Sequence, residues 1–225
     1  MIFRNREDAA HQLAAKLSAY RGRHPLVLAV PRGALPMGRI LAEELDGELD
    51  VVLVHKLGAP DNPEYAIGAV DELGEVALRA AAVEEYVRPQ YVEAESARQL
   101  AVLRERRKRY TPGRGAADAR DRVVIVVDDG VATGATLRSA LELVRRQKPK
   151  HLVAALGVAP HESLTELRKH ADEVVCLATP SPFFAVGQFF DDFRQVEDEE
   201  AIAILRAARA DAERRATVTP EPAVR

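Results

Sequence analysis

The chain has 225 residues, 47% of them hydrophobic and 30% charged, with a formal net charge of −3. These values suit a soluble globular chain with one sizeable core and give no global electrostatic case for nucleic acid as a partner. No apolar run approaches the roughly 20 residues of a membrane-spanning helix, so no membrane partner is expected. The charged first residues Arg4, Arg6, Glu7 and Asp8 do not read as a secretory leader. The lone cysteine, Cys176, has no internal partner and sits in the apolar run 174–177, as a buried core thiol would, so a reducing, cytoplasmic setting is expected.

In chain order, residues 5 to 20 place Leu13, Leu17 and Tyr20 on one face behind a capping Asn5, which predicts an amphipathic helix ended by Gly22. Leu26 to Val30 reads as a short strand buried on both faces. Pro31-Arg32-Gly33-Ala34 turns the chain, 35 to 45 returns as a helix, and 49 to 55 reads as the next strand. That spacing predicts a right-handed parallel crossover. Residues 56 to 64 are rich in breakers and read as a loop; 67–70 and 75–78 read as a hairpin. A long helix is expected over about 84 to 109, with Pro89 kinking or starting it. Its end is basic (Arg98, Arg104, Arg106, Arg107, Lys108, Arg109), and a solvated face offset by Glu93, Glu95 and Glu105 is the favoured reading. Residues 111 to 121 form a connector.

The run Val123-Val-Ile-Val-Val is the strongest strand signal. It ends in Asp128-Asp129, then in the small-residue loop Gly130-Val131-Ala132-Thr133-Gly134-Ala135-Thr136, then in a helical pattern with Leu137, Leu141 and Val144. A strand, a small-residue loop and a helix bring consecutive N–H groups to a positive helix end, which is a cradle for phosphate. The loop lacks the lysine of a P-loop and the three-glycine spacing of a dinucleotide fingerprint. What it offers is two hydroxyl-accepting acids beside an anion nest, a combination that suits a sugar phosphate. Strand 152–158, helix 161–170 and strand 173–178 complete the alternation; residues 179–200 carry Phe183, Phe184, Phe189, Phe190 and Phe193, and a last helix covers about 199 to 214. The fold class is α/β: an open, mostly parallel sheet of about five strands flanked by helices. Arg32-Gly33, Lys56 and Asp128-Asp129 all fall at strand carboxyl ends on this reading, the rim where such sheets bind ligands.

Residues 123 to 136 resemble the signature of the type I phosphoribosyltransferases, enzymes that use phosphoribosyl pyrophosphate (PRPP). The resemblance implies one domain over 1–215 with a small hood at about 179–200; the interval of about 57–122 departs from the family's commonest pattern as an insertion, and the terminal stretch 216–225 is expected to be a disordered tail. It implies that Asp128 and Asp129 hold the ribose hydroxyls and that Ala132, Thr133, Gly134, Ala135 and Thr136 bind the 5-phosphate. Arg32-Gly33 resembles the family's pyrophosphate loop, which often has an unusual peptide bond, and Lys56 resembles a strand-end lysine. Mg²⁺ is implied as a cofactor held mainly through the pyrophosphate, with no direct protein ligand. The stretch 184–191 is similar to the base site of hypoxanthine-guanine phosphoribosyltransferases, with Phe184, Val186 and Asp191 in the base-holding roles; core packing is the alternative for most of the phenylalanines. Two departures count against a 6-oxopurine: Ala132 stands where those enzymes carry an acid, and Gly157 to Pro160 lacks their lysine.

The implied activity is transfer of the phosphoribosyl group to a nitrogenous base, purine-like by preference, in nucleotide salvage. The alternative is a PRPP- or nucleotide-sensing regulator on the same fold, for which the basic helix end would bind nucleic acid. A homodimer is expected by resemblance alone.

Overall fold

The computed structural model describes residues 2–79 and 88–218. Its main sheet is parallel: β1 (Leu26–Ala29), β2 (Glu48–Val51), β6 (Val123–Gly130), β7 (His151–Val158) and β8 (Glu173–Ala178), in the spatial order β2-β1-β6-β7-β8. The apolar runs of the inner strands are covered on both faces. Val27, Ala29, Ile125, Val127, Val153 and Ala155 face one layer, and Leu26, Leu28, Val124, Val126, Leu152 and Ala154 face the other, as a period of two requires. The first layer is built on α1 (Arg6–Lys16), α2 (Leu35–Glu44) and α6 (Asp198–Val218); the second on α4 (Ala135–Arg146) and α5 (His161–Leu167). Asn5 caps α1 as expected, its Oδ1 accepting the Asp8 N–H at 2.9 Å. Strand β1 has β2 on one side and β6 on the other, so chain order reverses there and the turns leaving β1 and β6 meet at one switch point.

The stretch between β2 and β6 forms an arm. β3 (Val54–Ala59), β4 (Asn62–Asp71) and β5 (Val76–Leu78) make a separate antiparallel sheet, and α3 (Pro89–Tyr110) follows with Pro89 in its first turn, starting the helix rather than kinking it. The expected pairing of 67–70 with 75–78 is present, Gly68 opposite Leu78 and Val70 opposite Val76. Two expectations are corrected. The single strand 49–55 is two strands in two sheets: β2 ends at Val51, and Val54 and His55 open β3. The loop 56–64 is mostly strand: Pro60-Asp61 turns β3 into β4, with register shifts on either side of Gly58. An apolar run shows that a segment is covered; it does not show which sheet covers it.

Arg107 docks the arm. It is buried, donates from Nη1 to Asp50 at 2.6 Å, holds Glu72 through Nε and Nη2, and reaches the Val51 carbonyl at 3.0 Å. The basic helix end is therefore only in part a solvated face. Arg98 and Lys108 pair with Glu95 and Glu105 at the surface, whereas Arg107 is internal. Residues 84–87 of the expected long helix lie outside the described residues. Helix α6 runs to Val218, past the expected start of the tail at 216; residues 219–225 lie outside the described residues.

Candidate active site

The period of two decides where the acid pair points. Asp129 continues the row Ile125, Val127 toward the layer of α1, and the carboxyl of Asp128, which precedes it at the strand end, lies within hydrogen-bond reach of the Asp129 carboxyl. Only Asp129 meets a cation: the Arg6 Nε donates to its Oδ2 at 2.7 Å, with both side chains buried. Arg6 comes from the first turn of α1. Its Nη1 donates to the Arg194 carbonyl at 2.8 Å, and its guanidinium lies 3.8 Å from the centre of the Phe193 ring. Among the described residues no cation pairs with Asp128. Burial, then the charge of Asp129, push the Asp128 carboxyl well above the usual carboxylate range. Burial also raises Asp129, and Arg6 opposes the rise. The two titrate as a unit.

The loop after the acids is open to an anion. Gly134 has φ +70° and stands as the N-cap of α4, a conformation that suits glycine. Gly134 offers no side-chain cap, and the first turn of α4 has no acid. The Thr133 hydroxyl meets only the Ala135 N–H, at 3.5 Å, so the remaining first-turn N–H groups keep the unsatisfied donors that every helix start presents. Ser163 fixes the loop from below by donating to the Ala132 carbonyl at 2.8 Å. Ala132, Thr133 and Thr136 are exposed.

The turn leaving β1 lies against the same acids. A Cβ on Gly33 would sit 2.5 Å from the Asp129 Oδ2, so only glycine allows this approach. The Pro31–Arg32 peptide is cis, at the loop where the resemblance places an unusual bond. Arg32 points to the start of α6, its Nη1 3.2 Å from Asp198 and 3.7 Å from Glu197. Asp198 also accepts from Arg109 at 3.0 Å and from the Tyr110 hydroxyl at 3.1 Å.

Above the rim, residues 182–190 form a braced loop. The Gln188 carboxamide accepts from the Phe184 and Ala185 N–H groups and donates to the Pro182 carbonyl. The Val186 Cγ1 lies 2.7 Å from where a Cβ on Gly130 would be, which sets this turn directly over the strand end that follows Asp129. Phe183 and Phe189 pack with tilted rings at 4.9 Å, and Phe190 packs on Phe193 at 5.0 Å and on Phe3 at 5.2 Å. Phe184 alone of the five is exposed, at 81%. Residues 2–4 join this loop: Phe3 forms a parallel bridge with Phe190, and the Asp191 N–H donates to the Phe3 carbonyl.

The structure thus brings Gly33, the acids, the 132–136 loop and Val186 together at the switch point. Among the described residues, the side chains of two others form no hydrogen bond or ion pair with these groups. Lys56 is an exposed residue within β3, opposite Ala69, because the strand it was expected to end stops at Val51. The Asp191 side chain is exposed, and only its backbone is tied, to the N-terminal segment. Arg6, Asp198 and Gln188 are additions that the sequence reading missed. For Arg6 one signal was present: a cation at the start of a helix opposes the helix dipole, so it needs a partner elsewhere.

A profile of the phosphoribosyl transferase domain matches residues 1–192. A Mycobacterium tuberculosis (strain H37Rv) protein named "Putative phosphoribosyl transferase" is 38% identical over 215 residues, covering 93% of this chain and 48% of its own length, so this chain spans about half of that relative. The crystal structure of the protein TT1426 from Thermus thermophilus superposes with a TM-score of 0.83 at 46% identity, over 91% of this chain and 98% of that one. The match over most of the chain, together with the parallel sheet and the acid-and-loop signature at its switch point, places this chain in the phosphoribosyl transferase family, on the type I fold.

Proposed function

We propose that the chain transfers the phosphoribosyl group of PRPP to a nitrogenous base, purine-like by preference, and releases pyrophosphate in a salvage-type reaction. The observation that carries the reading is the acid pair standing directly beside an open helix N-terminus at the switch point. Asp128 and Asp129 accept from the ribose hydroxyls, and the N–H groups of 132–136 take the 5-phosphate. With both ends of the sugar held, C1 is aligned for attack. The C1–O bond to pyrophosphate breaks through an oxocarbenium-like state, as in glycoside cleavage, while a base nitrogen bonds to C1 and gives up its proton. Arg32 and the Gly33 backbone stabilise the leaving pyrophosphate.

The donor set fits Mg²⁺ carried by the substrate: the hard oxygen ligands come from pyrophosphate, and the ion keeps waters. When bound it neutralises charge on the leaving group. The chain's part is to hold that pyrophosphate through Arg32 and Gly33. Lys56 is retained in this proposal only as a cation of the arm.

Phe184 supports the acceptor side. An aromatic side chain at 81% exposure, on a loop braced by Gln188, is presented for stacking rather than for packing. Val186 and Asp191 complete the proposed base site. Ala132 offers no acid or base to a ring nitrogen, which points away from a 6-oxopurine. No helix among the described residues is long and apolar enough to cross a membrane. A single cysteine, Cys176, with no internal disulfide partner fits the proposed cytoplasmic setting.

The test is PRPP and Mg²⁺ with a panel of purines, pyrimidines and other nitrogen heterocycles, followed by pyrophosphate release and the mass of the product. Release with one base and a matching nucleotide mass is expected. PRPP binding with no release on any base would favour a sensor.

A further inference from the structure

Arg6 touches three parts of the molecule at once: the acid Asp129, the backbone of Arg194 and the face of Phe193. Its Nη2 also lies 3.3 Å from where a Cβ on Gly33 would be, against the turn that leaves β1. A residue serving only as a staple between α1 and the segment after the 182–190 loop would need the last two contacts and not the carboxylate. We propose that Arg6 is a positioning residue for the sugar site: it fixes one oxygen of Asp129 so that the other faces the ribose, and it links that acid to the segment carrying the acceptor loop. This rests on the reading of Asp129 as a ribose-binding acid.

The charges around Asp129 make the role specific. It is faced by Arg6 from α1 and by Asp128 from its own strand. The other nearby cations are engaged elsewhere, Arg32 with Glu197 and Asp198, and Arg194 with Glu200. Among the described residues Arg6 is the one cation paired with this acid, and its charge opposes the rise that burial beside a second acid imposes. A lysine at position 6 would supply charge without the planar fork that reaches a carboxylate and a carbonyl together, and without the flat face that lies on Phe193.

The test has two independent readouts. First, carbon-13 titration of the side-chain carboxyls, with Asp129→Asn assigning the resonance, compares the wild-type protein with Arg6→Gln. The apparent midpoint of the acid pair, followed at that resonance, should rise by about one to three pH units when the opposite charge is removed. An unmoved midpoint overturns the inference. Second, calorimetry measures the affinity for PRPP with Mg²⁺ across pH. Arg6→Gln should bind at least about tenfold more weakly near pH 6, and the deficit should shrink as pH rises and the acid ionises. A deficit that is constant with pH would mean that Arg6 is only a staple.

Should Arg6→Gln fail to melt as a folded protein, Arg6→Lys carries the test. Its ammonium should keep the midpoint near that of wild type while PRPP affinity falls; midpoint and affinity both equal to wild type would overturn the proposal. Failure of the wild-type protein to bind PRPP sinks the sugar-site reading instead, and the titration still decides whether Arg6 governs the acid.

Discussion

Two places in this molecule bury two acids with one arginine, and they are resolved in opposite ways. At the arm, Arg107 touches both Asp50 and Glu72, and Asp50 also accepts the N–H groups of Val51 and Ala117 at 2.8 Å each. At the rim, Arg6 touches Asp129 alone, gives another donor to a carbonyl, and leaves Asp128 with no cation among the described residues. The arm's charges are consumed internally, which is what docking one element on another requires. The rim's acids share less counter-charge in a buried setting, which costs stability and, on the proposed function, is offset when a ligand brings donors. On the proposed function, the difference separates a structural network from a binding one better than burial does, since all four carboxylates lie largely inside.

Breaking the arm network should have the largest effect. Arg107→Ala leaves Asp50 and Glu72 buried without their counter-charge, a loss of about 3–5 kcal/mol. At roughly 2–4 °C per kcal/mol for a chain of this size, the melting temperature should fall by about 10 °C. PRPP affinity at a temperature where the variant stays folded should change little. A variant that melts like wild type would show that the network is dispensable.

Asp128→Asn should do the reverse. It removes one charge-assisted acceptor, worth about 1.5–3 kcal/mol, so PRPP should bind roughly tenfold to a hundredfold more weakly by calorimetry. Stability should hold or rise. The sign follows from linkage: the folded carboxyl has a raised pKa, so the folded state binds its proton more tightly than the unfolded one. Wild-type stability therefore falls as pH climbs from the usual carboxylate value, about 4, toward the raised one, and the asparagine variant should lack that fall. The same titration predicts that wild-type PRPP affinity weakens on acidification at a pH above the ordinary carboxylate range. A less stable Asp128→Asn protein would contradict the comparison.

The sheet and its signature were legible because their signals are local. A run of β-branched residues, a pair of acids and a small-residue loop before a helical pattern each follow from a few adjacent residues. What escaped was everything fixed by a distant partner. Lys56 was misplaced because the run from Leu49 to His55 serves two sheets, and periodicity is blind to that division. Arg107 looked like one more cation in a basic stretch, because its partners Asp50 and Glu72 lie far back in the chain. Arg6 was hidden likewise, 123 positions from the carboxylate it holds. The five phenylalanines were not separable by composition. The Gln188 brace, which turns Phe184 outward while the others pack, is a contact of one side chain with three backbone groups.

That exposure makes Phe184 the next place to press. Phe184→Ala removes a side chain with little packing, so the melting temperature should stay within about 2 °C. If it stacks on the acceptor, the loss should be about 1–3 kcal/mol, roughly tenfold to a hundredfold in the KM of the base, with PRPP affinity unchanged. Equal weakening of base and PRPP would assign the residue to the scaffold.

The smallest effect is expected at Asp198, where rim and arm meet. This carboxylate holds Arg32, the proposed pyrophosphate ligand, together with Arg109 and Tyr110 from the end of α3. Burial raises its pKa, but the Tyr110 hydroxyl and the Arg32 and Arg109 charges outweigh that and hold the carboxyl below its usual range. Its contribution to stability is thus present above the ordinary carboxylate pKa and lost as pH falls through the lowered one. The partners are partly exposed, so the pair with Arg32 is worth about 0.2–1 kcal/mol. If Asp198 competes with pyrophosphate for Arg32, Asp198→Asn should tighten product inhibition by pyrophosphate with Mg²⁺, by up to about fivefold, at nearly unchanged stability. Weaker inhibition would mean instead that Asp198 aims Arg32 at the leaving group, and would make the end of α3 part of the site that the arm otherwise only adjoins.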